Sequence, residues 1–245
     1  MRRLALLSTV FGLAAAGAGP AVAAPTVDVA VDDCRTSADP LQRYAIFRGE
    51  MAAVERTDRM AMRFDLQVRE PGDEHYRAVD APGLGTWIKS EPGVNRAFIW
   101  TKQVANLTAP ADYRARVTFR WYDAGGRVIE QTWRRTKLCT QPDPRPDLEL
   151  GTLTTSAGPQ PGLTRYSVPV RNTGRGDAGS FDVAFGDGAS PLTVSGVLAG
   201  AAQTVGFVAP SCAPGEILRF EVDPDGLVAE ADEDDNVLRV ACPAA

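Results

Sequence analysis

Apolar and polar residues alternate along two long stretches in the first half of the chain. From Met60 to Val68, and again from Tyr113 to Trp121, every second residue is apolar and most residues between them are charged or polar. A period of two is typical of a strand with one buried face. The turn composition of Asp123–Gly126 separates the second stretch from Val128–Cys139, so the sequence predicts a β-hairpin here.

The second half has shorter apolar stretches, separated by turns rich in glycine, asparagine and aspartate. Seven short strands within about 95 residues are typical of an immunoglobulin-like sandwich. No window has a convincing helical period; 42–54 comes nearest, and Gly49 weakens it. The seven predicted strands are Leu148–Leu153, Arg165–Arg171, Ser180–Phe185, Leu192–Val197, Gln203–Val208, Ile217–Asp223 and Asn236–Ala241.

The predicted fold class is therefore all-β, with two β-sandwich domains in tandem, the second immunoglobulin-like with about seven strands. A length of 245 residues accommodates a leader and two domains of about 100 residues each. Three prolines at alternate positions in 142–146 favour an extended linker. We predict a signal peptide at 1–24, an N-terminal β-sandwich at 25–140, a linker at 141–146 and the second sandwich at 147–245.

The first residues have the composition of a secretory leader. Arg2 and Arg3 precede the apolar stretch Leu4–Ala16, and Ala21–Ala23 supplies small residues for cleavage. A membrane anchor is the alternative, but glycine and proline interrupt the apolar run, and no later stretch is long enough to span a bilayer. We therefore expect a secreted, extracellular protein that is free or held non-covalently at the cell surface.

Export permits disulfides, and four cysteines allow three pairings. Pairing Cys34 with Cys139 and Cys212 with Cys242 is the economical choice, because each pair then lies within one predicted domain. A metal site would need thiolates from both domains, and the sequence contains no CxxC motif. No cofactor is expected.

Charge changes sharply at the predicted linker. Residues 25–142 hold 18 basic and 16 acidic residues, a net of +2, whereas residues 143–245 hold 6 and 15, a net of −9. A chain with this balance is a poor candidate for binding nucleic acid or an anionic membrane with its whole surface.

The second predicted domain resembles the CARDB family, the "cell adhesion related domain found in bacteria", over residues 146–242. The resemblance includes Pro146–Leu150, Ser167–Gly174 and Gly196–Gly200, and its most specific part is the closing motif Val222–Asn236. Asp235-Asn236 stands where family members often have two asparagines. The family implies an immunoglobulin-like sandwich in secreted bacterial proteins with adhesive or accessory roles, and it implies no catalytic residues.

Two loops of this domain contain candidate binding residues. A calcium site is one hypothesis for the closing motif, because oxygen ligands bind hard cations; a strand running into a tight turn is the favoured interpretation. The candidate ligands are Asp223, Asp225, Asp232 and Asp235.

The other candidate loop contains Arg175-Gly176-Asp177, a tripeptide that some adhesion receptors recognise. We expect it at a loop tip between the second and third strands of the domain, where a partner could reach Arg175 and Asp177. Ordinary surface-turn residues are the simpler interpretation.

The predicted hairpin of the first domain combines basic and aromatic residues. Trp121 and Trp133 could contact sugars while the neighbouring basic residues hold anionic groups. The simpler interpretation places the aromatic residues in the core and the arginines on the opposite, solvated face. The basic residues are Arg114, Arg116, Arg120, Arg134, Arg135 and Lys137.

No catalytic motif is present, and the only histidine, His75, lies in a polar segment. We therefore expect a non-enzymatic binding or adhesion accessory that acts on a cell-surface glycan or an exported protein. A structural spacer or assembly module is the alternative, and an unrecognised hydrolase is the third hypothesis. The ligand itself cannot be read from the sequence.

Overall fold

The computed structural model describes residues 25–94, 96–186 and 189–242, so the predicted signal peptide lies outside the described residues. Apart from a single 3₁₀ turn at Pro40–Gln42, the described residues form strands, turns and loops. Two hydrophobic cores are present, one built from residues 45–139 and the other from residues 148–228. This confirms the all-β fold with tandem sandwiches; the proposed domain boundaries stay a prediction.

The N-terminal sandwich consists of nine strands in two sheets. The strands are β1 (Val27–Arg35), β2 (Tyr44–Met51), β3 (Arg59–Arg69), β4 (Arg77–Ala78), β5 (Trp87–Lys89), β6 (Phe98–Ala105), β7 (Ala111–Tyr122), β8 (Val128–Arg135) and β9 (Cys139–Gln141). One sheet has the order β1-β2-β6. The other has the order β4-β3-β7-β8, with β5 also paired to β3 and β9 to β7.

The antiparallel pair β3–β7 forms the centre of the larger sheet. Its register runs without interruption from Arg59 opposite Tyr122 to Arg69 opposite Asp112. Because paired residues point to the same side of a sheet, this register directs the apolar residues of both strands into the core and their arginines to the opposite face. The alternation in the sequence predicted this arrangement for both strands.

Strand β2 covers the other side of this core, although its sequence came nearest to a helix. Its burial alternates strictly, with Ala45, Phe47 and Met51 inside. Gly49 is on the same inward side, where a Cβ atom would lie 2.9 Å from Met62 Sδ and 3.2 Å from Val117 Cγ1. The glycine therefore lets the two sheets approach closely here, which is a reason unrelated to helix breaking.

The C-terminal sandwich contains eight strands. They are β10 (Leu148–Leu150), β11 (Thr154–Ala157), β12 (Leu163–Asn172), β13 (Phe181–Phe185), β14 (Leu192–Val194), β15 (Ala202–Pro210), β16 (Ile217–Val222) and β17 (Val237–Ala241). In one sheet β12 is central and pairs with β10, β11 and β15; the other has the order β14-β13-β16-β17. Seven strands overlap the predicted ones. The eighth, β11, is exposed throughout and has no apolar alternation to predict it.

Asn172 anchors the predicted linker to the C-terminal sandwich. Its buried amide donates to the carbonyls of Gly176 (2.8 Å) and Val197 (2.9 Å) and accepts from the N–H groups of Asp147 and Gly174 (both 3.1 Å). All the hydrogen-bonding positions of this side chain are thereby used. Asn172 is the last residue of β12 and the first of the Asn-Thr-Gly segment. Its hydrogen bonds connect the end of this strand to the incoming chain at Asp147.

Both economical cysteine pairings are present. Cys34 pairs with Cys139 and Cys212 with Cys242, with Cα–Cα distances of 5.5 and 6.0 Å. The predicted hairpin strand is interrupted but runs through Cys139. Strand β8 ends at Arg135, Thr136 donates its N–H to the carbonyl of Ala115 (3.0 Å), and the chain continues along the same edge of β7 as β9, with the register shifted by one residue. The disulfide then joins Cys139 of β9 to Cys34 of β1.

Replacing Gly49 by valine should destabilise the N-terminal sandwich. The side chain would be forced between the two sheets, and overpacking of this kind costs about 1–3 kcal/mol. Urea unfolding followed by tryptophan fluorescence measures the effect, since all four tryptophans, Trp87, Trp100, Trp121 and Trp133, lie in this sandwich.

The control is Gly125→Val, in the turn between β7 and β8 of the same sandwich. A Cβ atom there meets only the end of the Asp123 side chain (3.3 Å), and the backbone is not left-handed. An unchanged unfolding midpoint for the Gly49 variant would contradict the close approach of the sheets at this position.

Candidate functional site

The outer face of the larger N-terminal sheet brings arginines and aromatic rings together. The register directs alternate residues of β3, β7 and β8 to this side, and the strands β4 and β5 border it. We call this surface the arginine–aromatic face. It consists of Arg63, Arg69, Tyr76, Trp87, Arg114, Arg116, Arg120, Trp133 and Arg135.

Each of the three aromatic rings is in contact with two guanidinium groups. Contacts between a guanidinium and an aromatic ring within about 6 Å are attractive, and the attraction restricts the arginine side chain. The distances from Cζ to the ring centre are 3.6 Å (Arg114) and 5.0 Å (Arg69) at Tyr76, 4.1 Å (Arg120) and 5.4 Å (Arg63) at Trp87, and 4.6 Å (Arg116) and 5.1 Å (Arg135) at Trp133.

Only two of these six arginines form ion pairs within the described part of the chain. Arg63 pairs with Asp65 at 3.0 Å, and Arg69 pairs with Asp112 at 2.8 Å. A hydrogen bond from the Thr140 hydroxyl, followed by that from Arg69, lowers the pKa of Asp112. This carboxylate is therefore held ionised and already occupied by two donors.

The other four arginines keep donors available. Arg114 donates to the neutral amide of Gln67 (3.0 Å), and Arg120 donates to that of Gln131. Arg116 has a buried Nε atom without a hydrogen-bond partner. Arg135 faces Arg116 directly across β7 and β8. Four guanidinium groups without a carboxylate partner form a surface suited to anionic groups.

The two predicted tryptophans have different positions. Trp121 is completely buried and donates from its indole nitrogen to the carbonyl of Ala52 (2.7 Å), so the prediction that it contacts a ligand is wrong. Trp133 is 41% exposed and shares its face with Arg116. Alternation along β7 separates Trp121 from the arginines, but the pairing of β8 brings Trp133 to their side.

The basic residues of the hairpin are also divided. Arg134 lies opposite Val117, a core residue, and its guanidinium donates to the Thr132 hydroxyl and the Trp133 carbonyl. Lys137 follows the end of β8. Neither residue contacts the three rings. The sequence analysis missed Tyr76, Trp87, Arg63 and Arg69, although the two arginines lie on the polar side of an alternating strand.

A cavity of about 300 Å³ opens at one end of this sheet, beside the β7–β8 turn. Arg59, Lys89, Asp58 and Asp123 line it together with Tyr122 and the turn residues 124–126. Arg59 faces Tyr122 across the strands, and its buried Nε atom has no hydrogen-bond partner. Two cationic side chains and two carboxylates border this cavity, so its charge does not favour an anion.

The closing motif of the C-terminal sandwich forms the expected tight turn. Asp223 has a left-handed φ of 48°, and its carboxylate accepts the N–H groups of Leu227 (3.0 Å) and Val228 (2.7 Å). Asp225, Asp232 and Asp235 are exposed, and Asp232 accepts from the N–H of Asp234 (2.9 Å). Within the described ranges, no three acidic, histidine or cysteine side chains are grouped so that they could hold a metal ion. Calcium binding stays a prediction.

The Arg175-Gly176-Asp177 tripeptide does not form a projecting tip, so that expectation is wrong. Gly176 is buried, and a Cβ atom on it would lie 2.5 Å from the Pro144 carbonyl oxygen. Arg175 donates its N–H to the carbonyl of Arg145 (3.0 Å), and Asp177 accepts the N–H of Ala199 (2.9 Å). The loop packs against the linker, although the side chains of Arg175 and Asp177 remain exposed.

Glu230 is the one fully buried carboxyl in the closing motif. It accepts from the N–H of Leu148 and from the amide of Asn236, thereby joining the start of β10 to the end of the chain. Burial raises the pKa of Glu230 to about 7, and the nearby carboxylates of Glu233 and Asp223 act in the same direction. Its two hydrogen bonds oppose this rise without cancelling it.

Residues 145–240 match the family model of the CARDB domain, which confirms the resemblance over that segment. No curated protein matches the chain. The comparison with solved structures finds, among others, one described as "Crystal Structure of Class 5 Fimbriae Chaperone CfaA", with 9% identity, a TM-score of 0.28, and coverage of 90% of this chain and 100% of that one. The low TM-score supports no functional conclusion.

The segment that matches this model is the C-terminal, immunoglobulin-like sandwich, which we call the CARDB domain; the match suggests an adhesion-related bacterial domain. The two disulfides and this domain fit an extracellular protein. No helix in the part of the chain that the structure describes is long and apolar enough to cross a membrane.

Ionisation of Glu230 should make the CARDB domain less stable as the pH rises. The folded-state pKa of about 7 exceeds the ordinary value of 4.5, so the folded state binds the extra proton. The contribution is fully present below about pH 4.5 and is lost as the pH passes about 7, with an upper limit of about 3 kcal/mol. Amide exchange at Leu148 and thermal unfolding followed by circular dichroism measure it.

Glu230→Gln should flatten this pH dependence. A neutral amide can accept from Leu148 and donate to the Asn236 oxygen, which is buried without a partner. Glu149→Gln at the domain surface is the control and should leave the slope unchanged. If the Glu230 variant and the unmodified protein showed the same dependence of thermal stability on pH, the assignment of this dependence to Glu230 would be contradicted.

Proposed function

We propose that this protein is an exported, non-enzymatic binding or adhesion accessory that attaches to a cell-surface glycan or an exported protein. The observation that carries the proposal is the arginine–aromatic face, where four guanidinium groups without carboxylate partners lie on the outside of a rigid sheet. The CARDB domain and the two disulfides support the extracellular, adhesive setting.

The proposal includes no catalytic step and no cofactor. His75 has a side chain that is 89% exposed, and its nearest acidic partner is the equally exposed Glu74 at 3.9 Å. A general base needs to be positioned by neighbouring groups, and this histidine has no such environment. The face acts through binding alone.

An assembly module is the second candidate function, and strand β15 favours it. Its nine residues, Ala202–Pro210, contain no charged side chain, and β15 pairs with β12 along one edge only among the described strands. Edge strands are usually protected by charges or bulges, and an unprotected one can accept a strand from a partner. An exported protein could therefore extend this sheet.

Sedimentation with protein-stripped bacterial cell walls and insoluble glycans tests the main proposal. The chain without its predicted signal peptide (residues 25–245) should sediment with these solids. Arg116→Glu should reduce the retained fraction several-fold, because it reverses the charge at the centre of the face. Arg134→Glu makes the same charge change on the same hairpin but away from the rings, so it should leave retention unchanged. Parallel samples with and without calcium test the closing motif.

Equal retention of the unmodified protein, the Arg116→Glu variant and the Arg134→Glu variant would assign binding to another surface. The assembly function replaces the main proposal under two conditions. No solid retains the protein, and an exported protein co-elutes with the unmodified chain but not with a variant that carries a charge on β15, such as Val208→Lys.

A further inference from the structure

We propose that the ligand of the arginine–aromatic face is an acidic polysaccharide lying along strand β7. This inference rests on the proposed function and names the chemical class of its ligand. The shared chemistry is a sugar polymer with repeated carboxylate, sulfate or phosphate groups.

Local charge is the first argument. Six arginines lie on the face, and among the paired strand residues that the structure describes, Asp65 and Asp112 are the carboxylates on the same side. Lys89 lies at the end of the sheet, where Asp58 and Asp123 balance it and Arg59. The chain as a whole has a net charge of −5, so this excess of cations is concentrated on one surface. A concentrated positive surface on an acidic protein selects an anionic ligand through its local field.

The stacked rings give the second argument, because they hold guanidinium groups close to one another. Arg116 and Arg135 both contact Trp133, so two positive charges share one ring. A carboxylate or sulfate between them would relieve this repulsion and accept hydrogen bonds from both.

The linear arrangement favours a polymer over a small ion. Arg114, Arg116 and Arg120 follow one another on the outer side of β7. At about 3.3 Å per residue, the first and last lie about 20 Å apart. A chain of charged sugars could contact all these positions in sequence, whereas a single ion could occupy only one.

The limited exposure of the aromatic rings favours a polysaccharide over nucleic acid as the ligand. Proteins that bind single-stranded nucleic acid offer open aromatic rings on which bases stack. Here Tyr76 and Trp87 are partly buried and contacted by two arginines each. Trp133 is also contacted by two arginines, but its indole is 41% exposed, so part of it can contact the apolar side of a sugar ring.

Titration calorimetry on the full mature chain tests the inference with four soluble polymers: polygalacturonate, dextran sulfate, neutral dextran and single-stranded DNA. We expect binding to polygalacturonate or dextran sulfate, none to neutral dextran, and weaker binding to DNA. Which acidic polymer binds more tightly distinguishes carboxylate from sulfate chemistry. Affinity should fall steeply as the ionic strength rises from roughly 0.05 to 0.5 M, because salt screens exposed charges.

The triple variant Arg114→Gln, Arg116→Gln, Arg120→Gln should bind at least about tenfold more weakly, because it removes three charge-assisted contacts. The matched control replaces three exposed arginines elsewhere and changes the net charge equally. It carries Arg134→Gln, Arg165→Gln and Arg171→Gln. Circular dichroism verifies that both variants are folded.

Two results overturn the inference in distinguishable ways. If cell walls retain the protein through Arg116 but no acidic polymer binds or competes, the proposed function stands and the ligand class is wrong. If DNA binds more tightly than both acidic polysaccharides, or if both triple variants lose affinity equally, the face is a general cation surface and the inference fails. Loss of retention on all walls and polymers removes the proposed function as well.

Discussion

The register between β3 and β7 is the constraint on which most of the N-terminal sandwich depends. Eleven consecutive pairs place Met60, Phe64 and Leu66 in one core with Phe119 and Trp121, and at the same time direct the arginines of both strands outwards. A shift by one residue would move every one of these side chains to the other face. Burial of the apolar face therefore fixes the position of the candidate binding surface: the core selects the register, and the register aligns the guanidinium groups with their rings.

The C-terminal sandwich depends on buried polar residues in a comparable way. Asn172 and Glu230 both bond to the segment at 147–148, one from the end of β12 and the other from the closing motif. Each is buried with its partners, so losing one partner would leave an unsatisfied group inside the protein. The motif residues of the CARDB match thus have a structural role at the point where the chain enters the domain. This explains their presence without any ligand.

Structural features that depend on neighbouring residues in the sequence could be predicted, whereas features that depend on strand pairing could not. The β3 and β7 strands, the turn at Asp123–Gly126 and seven strands of the CARDB domain follow from periodicity and turn residues, which act over a few positions. Strand β2 was missed because Gly49 stands at an inward position where alternation calls for an apolar side chain, and the reason for the glycine, the opposite sheet, is not local in sequence. The partners of the arginines were missed because Tyr76 and Trp87 reach the face only through strand pairing. Trp121 and Trp133 both looked like candidates, and only the register shows that one is inside and the other outside.

The positions of the two disulfides have a mechanical consequence. The Cys34–Cys139 bond joins β1 to β9, immediately before the chain leaves for the CARDB domain. Tension that enters the chain before Cys34 and leaves through the CARDB domain would cross this covalent bond and bypass residues 35–138. Strands β2 to β8, with the whole arginine–aromatic face, are thereby shielded from extension. A second closed loop, 212–242, shields β16 and β17. Under load, the segment between Cys139 and Cys212 is the longest stretch free to extend, so the binding surface would outlast the domain that follows it.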